Sequence, residues 1–186
     1  MVAASNEKKF QKYEGMTLKE IARERKKSPE ECLIDLLNGS DFEMSAFYFS
    51  QSEEVIREVI AKPYVMVGSD SIADGSRRPH PRAYGTVPKI FREYVREKKA
   101  ISLGEAVRKL TSAAADHFHL PQRGEIKEGS FADIVLFDAG EMNDEADYEN
   151  ATALGQGVKW VFVNGQPAVK NGKPTLHKNG RVLGLS

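Results

Sequence analysis

The stretch Tyr64-Val65-Met66-Val67-Gly68-Ser69-Asp70 decides how the rest of this sequence is interpreted. Its first four residues are apolar and mostly β-branched or aromatic, which favours a strand buried on both faces of a parallel sheet. Asp70 follows the carboxyl end of that strand, where α/β folds display their functional groups. The pattern predicts a site at Asp70, and the alternative is that Ser69 or Asp70 only begins a turn.

Length and composition limit what such a site can do. Lys plus Arg and Asp plus Glu are balanced at 27 each, without a basic block, which argues against nucleic acid or an anionic membrane as a partner. A complete eight-stranded α/β barrel takes about 250 residues, so a chain of 186 residues cannot form one. The single cysteine, Cys32, excludes an internal disulfide and fits a reducing compartment. Residues 1–10 lack the apolar core of a signal peptide, and no apolar run approaches the ~18 residues of a membrane span. We therefore expect a cytoplasmic protein.

The first part of the chain shows helix-start signals and two apolar runs. A serine or threonine precedes a glutamate by three residues, as in a capping box, at Thr17, Ser28, Ser50 and Ser102. A further helix is predicted to open at Thr86. A strand at residues 44–49, a helix and the strand at residues 64–67 together predict a parallel right-handed βαβ unit. Residues 1–12 are polar and Lys-rich, which predicts a flexible segment.

The pattern changes after residue 118. Short apolar runs at residues 132–137 and 158–163 predict strands, and Asn164-Gly165 predicts a two-residue hairpin turn into residues 166–169. We therefore predict an α/β part over residues 13–118 and a β part over residues 119–186. Neither part is self-sufficient, because both leave sheet edges open.

Five segments of the chain carry a resemblance to a known family: residues 66–70, 80–86, 103–111, 123–133 and 161–165. The second reads His-Pro-Arg-Ala-Tyr-Gly-Thr, the fourth contains Gly-Ser-Phe-Ala-Asp, and the fifth reads Val-Phe-Val-Asn-Gly. In this combination the chain resembles the carboxyl-terminal part of the N-acyl-D-amino-acid deacylases, in the metal-dependent amidohydrolase superfamily. Gly-x-x-Ala-Asp and Val-Asn-Gly are shared widely across that superfamily, whereas His-Pro-Arg with Tyr-Gly-Thr points to its D-aminoacylase branch.

The resemblance implies an α/β fold class. It comprises the last strands and helices of an incomplete (β/α)₈ amidohydrolase barrel, followed by the carboxyl-terminal strands of a small β-sandwich. It also implies an enzyme that hydrolyses the amide of N-acyl-D-amino acids with a water activated by zinc. The metal-binding histidines of such enzymes fall in regions that this chain does not contain. We therefore expect that the chain alone binds no zinc.

The resemblance also implies roles for four residues. Asp70 would act as general base and acid, and it is a possible ligand of the metal together with residues missing here. Arg82 would bind the substrate carboxylate with its planar fork of donors. Tyr84 and His80 would line the substrate pocket, and the alternative is that they only order the loop.

Four other residues could suggest a metal site. His117 and His119 imitate a His-x-His motif, but residues two apart on a helix diverge around its axis and are poorly placed to chelate. His177 lies between a turn and a glycine, which is typical of a surface position. Cys32 lies in a helical pattern, where we expect it to pack in the core.

Two functions of different class remain open from the sequence. In the first, the chain is a fragment or subunit of the deacylase, inactive alone and completed by a missing amino-terminal barrel half. In the second, it is a noncatalytic domain or remnant with an assembly or binding role. The open strand edges and apolar helix faces predict pairing with the missing half or self-association.

Overall fold

The computed structural model describes residues 1–72 and 78–183, which group into two compact units. As far as they are described, the first unit contains Met1–Ser50, Asp70–Ala83 and Ala146–Thr152. The second contains Gln51–Ser69, Tyr84–Glu145 and Ala153–Ser186. No helix in the described ranges combines the length and apolar character needed to cross a membrane.

The first unit is mostly helical. It contains β1 (Val2–Ser5), a 3₁₀ helix (Lys8–Tyr13), α1 (Leu18–Arg25), α2 (Pro29–Gly39) and β2 (Met44–Ala46). Complete capping boxes at Thr17 and Ser28 start α1 and α2, as the sequence predicts. Its buried core consists of Val2, Phe10, Tyr13, Ile21, Ala22, Cys32 and Leu36. Cys32 is fully buried there, as expected for a packing residue.

Two predictions for this unit differ from the structure. The segment predicted to be flexible, residues 1–12, contains β1 and most of the 3₁₀ helix, because its few apolar side chains, Val2 and Phe10 among them, join the core. The predicted parallel βαβ unit is also wrong within the described residues. There β2 pairs antiparallel with β1, and residues 64–69 are not assigned to a strand.

The second unit packs helices against a four-stranded sheet. Its elements are α3 (Glu53–Ile60), α4 (Arg82–Lys89, which begins in the first unit), a π-helix (Ile90–Glu97), α5 (Leu103–Leu110), α6 (Ser112–His117), β3 (Ile134–Phe137), β4 (Val158–Val163), β5 (Gln166–Lys170) and β6 (Lys173–Pro174). The sheet is antiparallel with strand order β3-β4-β5-β6. The rings of Phe91 and Phe137 meet at 4.9 Å between centroids. Helices and sheet therefore share one hydrophobic core in this unit.

The β4–β5 turn confirms the hairpin prediction and explains two sequence motifs. Asn164 and Gly165 both have positive φ, 51° and 79°, as a two-residue hairpin turn requires. Asp133 accepts the backbone N–H of Asn164 at 2.7 Å and pairs with Arg123. Arg123 also donates to the Asn164 side-chain oxygen at 2.8 Å. The Gly-x-x-Ala-Asp and Val-Asn-Gly motifs therefore stabilise one turn.

Two helices begin at residues other than those predicted. α3 is capped by Ser52, whose hydroxyl accepts from the N–H of Glu54, and not by Ser50. α4 begins at Arg82 and not at Thr86, since the N–H of Ala83 already bonds the carbonyl of His80 at 2.9 Å. Arg82 and Tyr84 therefore lie on a helix that replaces part of the predicted loop.

The segment at residues 64–67 is not part of a sheet and instead contacts a buried lysine. Tyr64 is 79% exposed, in contrast to the predicted buried strand. The Lys109 side chain on α5 is fully buried. Its ammonium donates to the carbonyls of Lys62 and Val65 and pairs with Glu105 at 3.2 Å. All three ammonium donors have acceptors, so the charge is compensated although it is out of water.

Several apolar residues at helical spacing are exposed. They are Val55 and Val59 on α3, Val87 on α4, and Leu103 and Val107 on α5. Their spacing still indicates amphipathic helices. Their exposure means that the residues of the second unit do not cover these faces.

We predict that Lys109→Met destabilises the protein. Methionine has a similar length but no donors, so the carbonyls of Lys62 and Val65 lose this partner. The expected loss in the free energy of unfolding is about 2–4 kcal/mol, measured by urea denaturation followed by circular dichroism. The matched control Lys19→Met, exposed on α1, should change it by less than about 0.5 kcal/mol. Equal stabilities of the two variants would contradict the role of Lys109.

Candidate active site

Asp70 and Arg82 form an ion pair in the first unit. A guanidinium nitrogen of Arg82, at the start of α4, lies 2.8 Å from a carboxylate oxygen of Asp70. The Asp70 side chain is 82% exposed and that of Arg82 is 40% exposed. A pair so open to water contributes little to stability. Its exposure leaves both charged groups accessible to a ligand.

The backbone at Asp70 is turned. Its φ is 48°, in the left-handed region that aspartate tolerates better than most residues. This agrees with the alternative that Asp70 serves a turn. The turn accounts for the backbone of Asp70 but not for its ion pair. That pair joins Asp70 and Arg82, the two charged residues to which the resemblance gives roles.

His80 contacts the backbone of Arg82. Its Nδ1 accepts a hydrogen bond from the backbone N–H of Arg82 at 3.1 Å. The ring packs against Phe47 and Tyr148, with centroid distances of 5.2 and 5.5 Å. Burial lowers the pKa of His80, the neighbouring Arg82 charge lowers it further, and Asp70 opposes both. Neutral imidazole is therefore favoured here.

Tyr84 is grouped differently from the other three residues. It lies on α4, is 41% exposed, and belongs to the second unit. The structure thus brings Asp70, Arg82 and His80 together in one unit. Of the segment between Asp70 and His80, residues 73–77 lie outside the described residues.

Metal-binding residues are the other feature that the resemblance implies for the complete site. Within residues 1–72 and 78–183, no three His, Cys, Asp or Glu side chains are grouped so that they could hold a metal ion. His117 is exposed and its ring contacts Phe118, while His119 follows α6 with a φ of 52°. His177 is exposed, as predicted. The residues that the structure describes therefore do not by themselves fit a metal site.

Tyr148 is a residue of this site that the sequence analysis does not identify. It lies in the polar connection between β3 and β4, 68 residues from His80. Its hydroxyl is 3.4 Å from His80 Nε2, and its ring contacts both Phe47 and Phe49. A lone aromatic residue between Asp147 and Glu149 is the only sequence signal, and spacing alone cannot connect it to His80.

Comparisons with known proteins agree on one family. Residues 41–169 match the family described as "Amidohydrolase family". The D-aminoacylase of Alcaligenes xylosoxydans xylosoxydans is 35% identical over 176 residues, which cover 95% of this chain and 35% of that protein. The N-acyl-D-glutamate deacylase of the same organism is 37% identical over 138 residues, 74% of this chain and 28% of that protein. The chain thus spans about a third of the length of these curated relatives.

Solved structures give the same result. A crystal structure of D-aminoacylase, described as defining a novel subset of amidohydrolases, superposes with a TM-score of 0.87 at 32% identity, over 98% of this chain and 37% of that one. The N-acyl-D-glutamate deacylase from Bordetella bronchiseptica, complexed with zinc and a phosphonate inhibitor, gives a TM-score of 0.81 at 28% identity, over 93% and 36%. A binuclear metal centre is described for D-aminoacylase.

The lowered pKa of His80 predicts a pH-dependent stability. In the unfolded chain the His80 imidazole is protonated as the pH falls through about 6.5. In the folded chain its pKa is lower, so it is protonated only at lower pH. The unfolded state therefore holds more protons in this window, and the free energy of unfolding should fall as the pH decreases through it.

Denaturation between about pH 7 and pH 5 tests this prediction. His80→Asn keeps an acceptor near the Arg82 N–H but does not titrate, so the slope against pH should decrease. The exposed control His177→Asn should keep the slope of the unsubstituted protein. An unchanged slope in His80→Asn would contradict the assignment to His80.

Proposed function

The chain belongs to the amidohydrolase family, and from this premise we propose that it is the carboxyl-terminal portion of a zinc-dependent N-acyl-D-amino-acid deacylase. The observation that supports the proposal most is the ion pair of Asp70 and Arg82, at 2.8 Å. One of these residues is a carboxylate suited to proton transfer, and the other is a guanidinium suited to binding a carboxylate. Hydrolysis of N-acyl-D-amino acids needs both groups.

The proposed architecture is that of an incomplete barrel with part of a sandwich. Residues 13–118 would supply the last strands and helices of a (β/α)₈ barrel, and residues 119–186 would supply strands of a small β-sandwich. The superposition on D-aminoacylase over 98% of this chain but 37% of that one supports this. A buried parallel strand needs neighbours on both sides. Residues 64–67 would become a strand when the rest of the barrel is present.

Asp70 would move protons in the reaction. It accepts a proton from the water that attacks the amide carbon, and it returns that proton to the nitrogen as the carbon–nitrogen bond breaks. The products are the free carboxylic acid and the D-amino acid. A general base and acid of this kind contributes about 10²- to 10⁴-fold to the rate. The carboxylate is 82% exposed, so water reaches it directly.

Arg82 would bind the carboxylate of the substrate. Its guanidinium now faces the Asp70 carboxylate at 2.8 Å, and a substrate carboxylate offers the same oxygen pair. The incoming anion would replace Asp70 at Arg82 and leave Asp70 to the attacking water. His80 and Tyr84 are the further candidates for lining the pocket, His80 through its contact with Arg82.

The zinc ion would be held by residues that this chain lacks. When bound, it would supply the activation of water in the complete enzyme. Asp70 is the one carboxylate here that we propose as a ligand, and the described residues give it no companions. We therefore propose that the chain alone binds no zinc and is inactive.

The missing partner would cover the exposed apolar helix faces. Val55, Val59, Leu103 and Val107 are exposed on α3 and α5, which is unusual for so many apolar residues at helical spacing. An amino-terminal barrel half, or a second copy of the chain, would bury them. The same faces also favour the alternative function, a noncatalytic domain that only assembles with a partner.

We predict that activity appears only on assembly and depends on Asp70. The chain is mixed with the amino-terminal portion of D-aminoacylase from Alcaligenes xylosoxydans xylosoxydans and with Zn²⁺, and release of D-amino acid from a panel of N-acetyl-D-amino acids is measured. The mixture should turn over, whereas the chain alone should not. Asp70→Asn should lower kcat by about 10²- to 10⁴-fold, because the proton acceptor is lost.

The control for this experiment is Asp116→Asn, an exposed aspartate on α6, which should keep kcat within about twofold. Turnover by the chain alone, abolished by a chelator, would show that it holds its own metal and would contradict the proposal. An assembled but inactive mixture would favour the noncatalytic alternative.

Arg82→Lys should separate substrate binding from chemistry. Lysine keeps the positive charge but loses the fork of donors, so KM in the assembled mixture should rise about tenfold with kcat nearly unchanged. The control is Arg57→Lys on α3, an exposed arginine outside the first unit. Equal KM values for Arg82→Lys and the unsubstituted protein would remove Arg82 from the substrate site.

A further inference from the structure

Tyr148 connects a distant part of the chain to the Asp70–Arg82 pair. It lies in Ala146–Thr152, a short segment that belongs to the first unit although its neighbours on both sides belong to the second. Asp147 fixes the segment as a turn, because its side chain accepts the backbone N–H groups of Glu149 and Asn150 at 2.8 and 2.6 Å. The Tyr148 carbonyl also accepts a hydrogen bond from Arg78 at 3.3 Å.

The side chain of Tyr148 is held in an aromatic cluster. Its ring lies 5.2 Å from Phe47 and 5.1 Å from Phe49, measured between centroids, and 5.5 Å from His80. Phe47 is itself buried. The packing leaves the hydroxyl 3.4 Å from His80 Nε2. Tyr148 therefore contacts the imidazole with both its ring and its hydroxyl.

The hydrogen bonds of His80 fix its tautomer. Nδ1 accepts the backbone N–H of Arg82 at 3.1 Å, so Nδ1 carries no hydrogen. A neutral imidazole has one ring hydrogen, which must then be on Nε2. Nε2–H donates to the Tyr148 hydroxyl oxygen at 3.4 Å. The hydroxyl thus stabilises the one tautomer that can accept from Arg82.

The position of this bond matters because Arg82 is the first residue of α4. The first N–H groups of a helix have no partner within the helix, and His80 supplies one for Arg82. This hydrogen bond holds the backbone of Arg82 in place at the start of α4. It therefore also sets the point from which the Arg82 side chain extends. The guanidinium is the group that pairs with Asp70 at 2.8 Å.

We propose that Tyr148 is a positioning residue for Arg82. It acts through His80: its hydroxyl holds the imidazole as the Nε2–H tautomer, and Nδ1 then holds the backbone amide from which α4 and the Arg82 side chain start. The positioning stands on the hydrogen bonds alone. Its consequence for catalysis rests on the proposed function, in which Arg82 binds the substrate carboxylate.

The first test measures the tautomer in the chain itself. Two-bond ¹H–¹⁵N correlation spectra of the histidine rings are recorded at about pH 8, where imidazole is neutral. The unsubstituted protein should show His80 with hydrogen on Nε2 only. Tyr148→Phe keeps the ring packing but removes the hydroxyl, so the other tautomer should appear and the Arg82 amide resonance should shift. Tyr64→Phe, an exposed tyrosine outside the first unit, should change neither.

The second test measures the consequence in the mixture assembled with the amino-terminal portion and Zn²⁺. Tyr148→Phe should raise KM for an N-acetyl-D-amino acid about three- to tenfold and leave kcat within about twofold, because a binding group is displaced and the proton acceptor is not. An unchanged tautomer and Arg82 amide in Tyr148→Phe overturns the inference, whatever the activity. A changed tautomer with an unchanged KM supports the positioning and contradicts the proposed role of Arg82.

Discussion

The ion pair between Asp70 and Arg82 is the interaction on which the account of this site depends. It joins the residue that ends the segment after α3 to the first residue of α4, at 2.8 Å. Because both side chains are partly open to water, the pair contributes little to stability. Under the proposed function its importance is chemical: it would keep a proton acceptor and a carboxylate-binding group in one place, and a substrate with its own carboxylate would separate them.

Local signals in the sequence predict several elements of the fold. The capping boxes at Thr17 and Ser28 and the Asn164-Gly165 turn all depend on residues within a few positions of one another, and the structure confirms each. The buried strand at residues 64–67 could not be predicted reliably, because an apolar run gives no information about whether its neighbours are present. In this structure a helix lysine, Lys109, donates to the carbonyl of Val65 in this segment and to that of Lys62 just before it.

The residues of the site likewise include some that the sequence predicts and one that it does not. Asp70, Arg82 and His80 could be singled out from a motif of nearby residues, and the structure places them in one unit. Tyr148 could not, since its contact with His80 spans 68 positions and depends on a turn made by Asp147. Tyr84 shows that closeness in sequence can also mislead. It is only two residues from Arg82 and lies on the same helix, yet it belongs to the other unit.

The roles of Asp70 and Arg82 can be tested by a crystal structure of the chain assembled with the amino-terminal portion, Zn²⁺ and a phosphonate analogue of an N-acyl-D-amino acid. We predict that the Arg82 guanidinium faces the carboxylate of the analogue. We also predict that the Asp70 carboxylate has left Arg82 and lies within hydrogen-bond distance of a phosphonate oxygen, the position of the attacking water. An analogue bound with Asp70 still paired to Arg82, and with neither residue facing it, would contradict both roles.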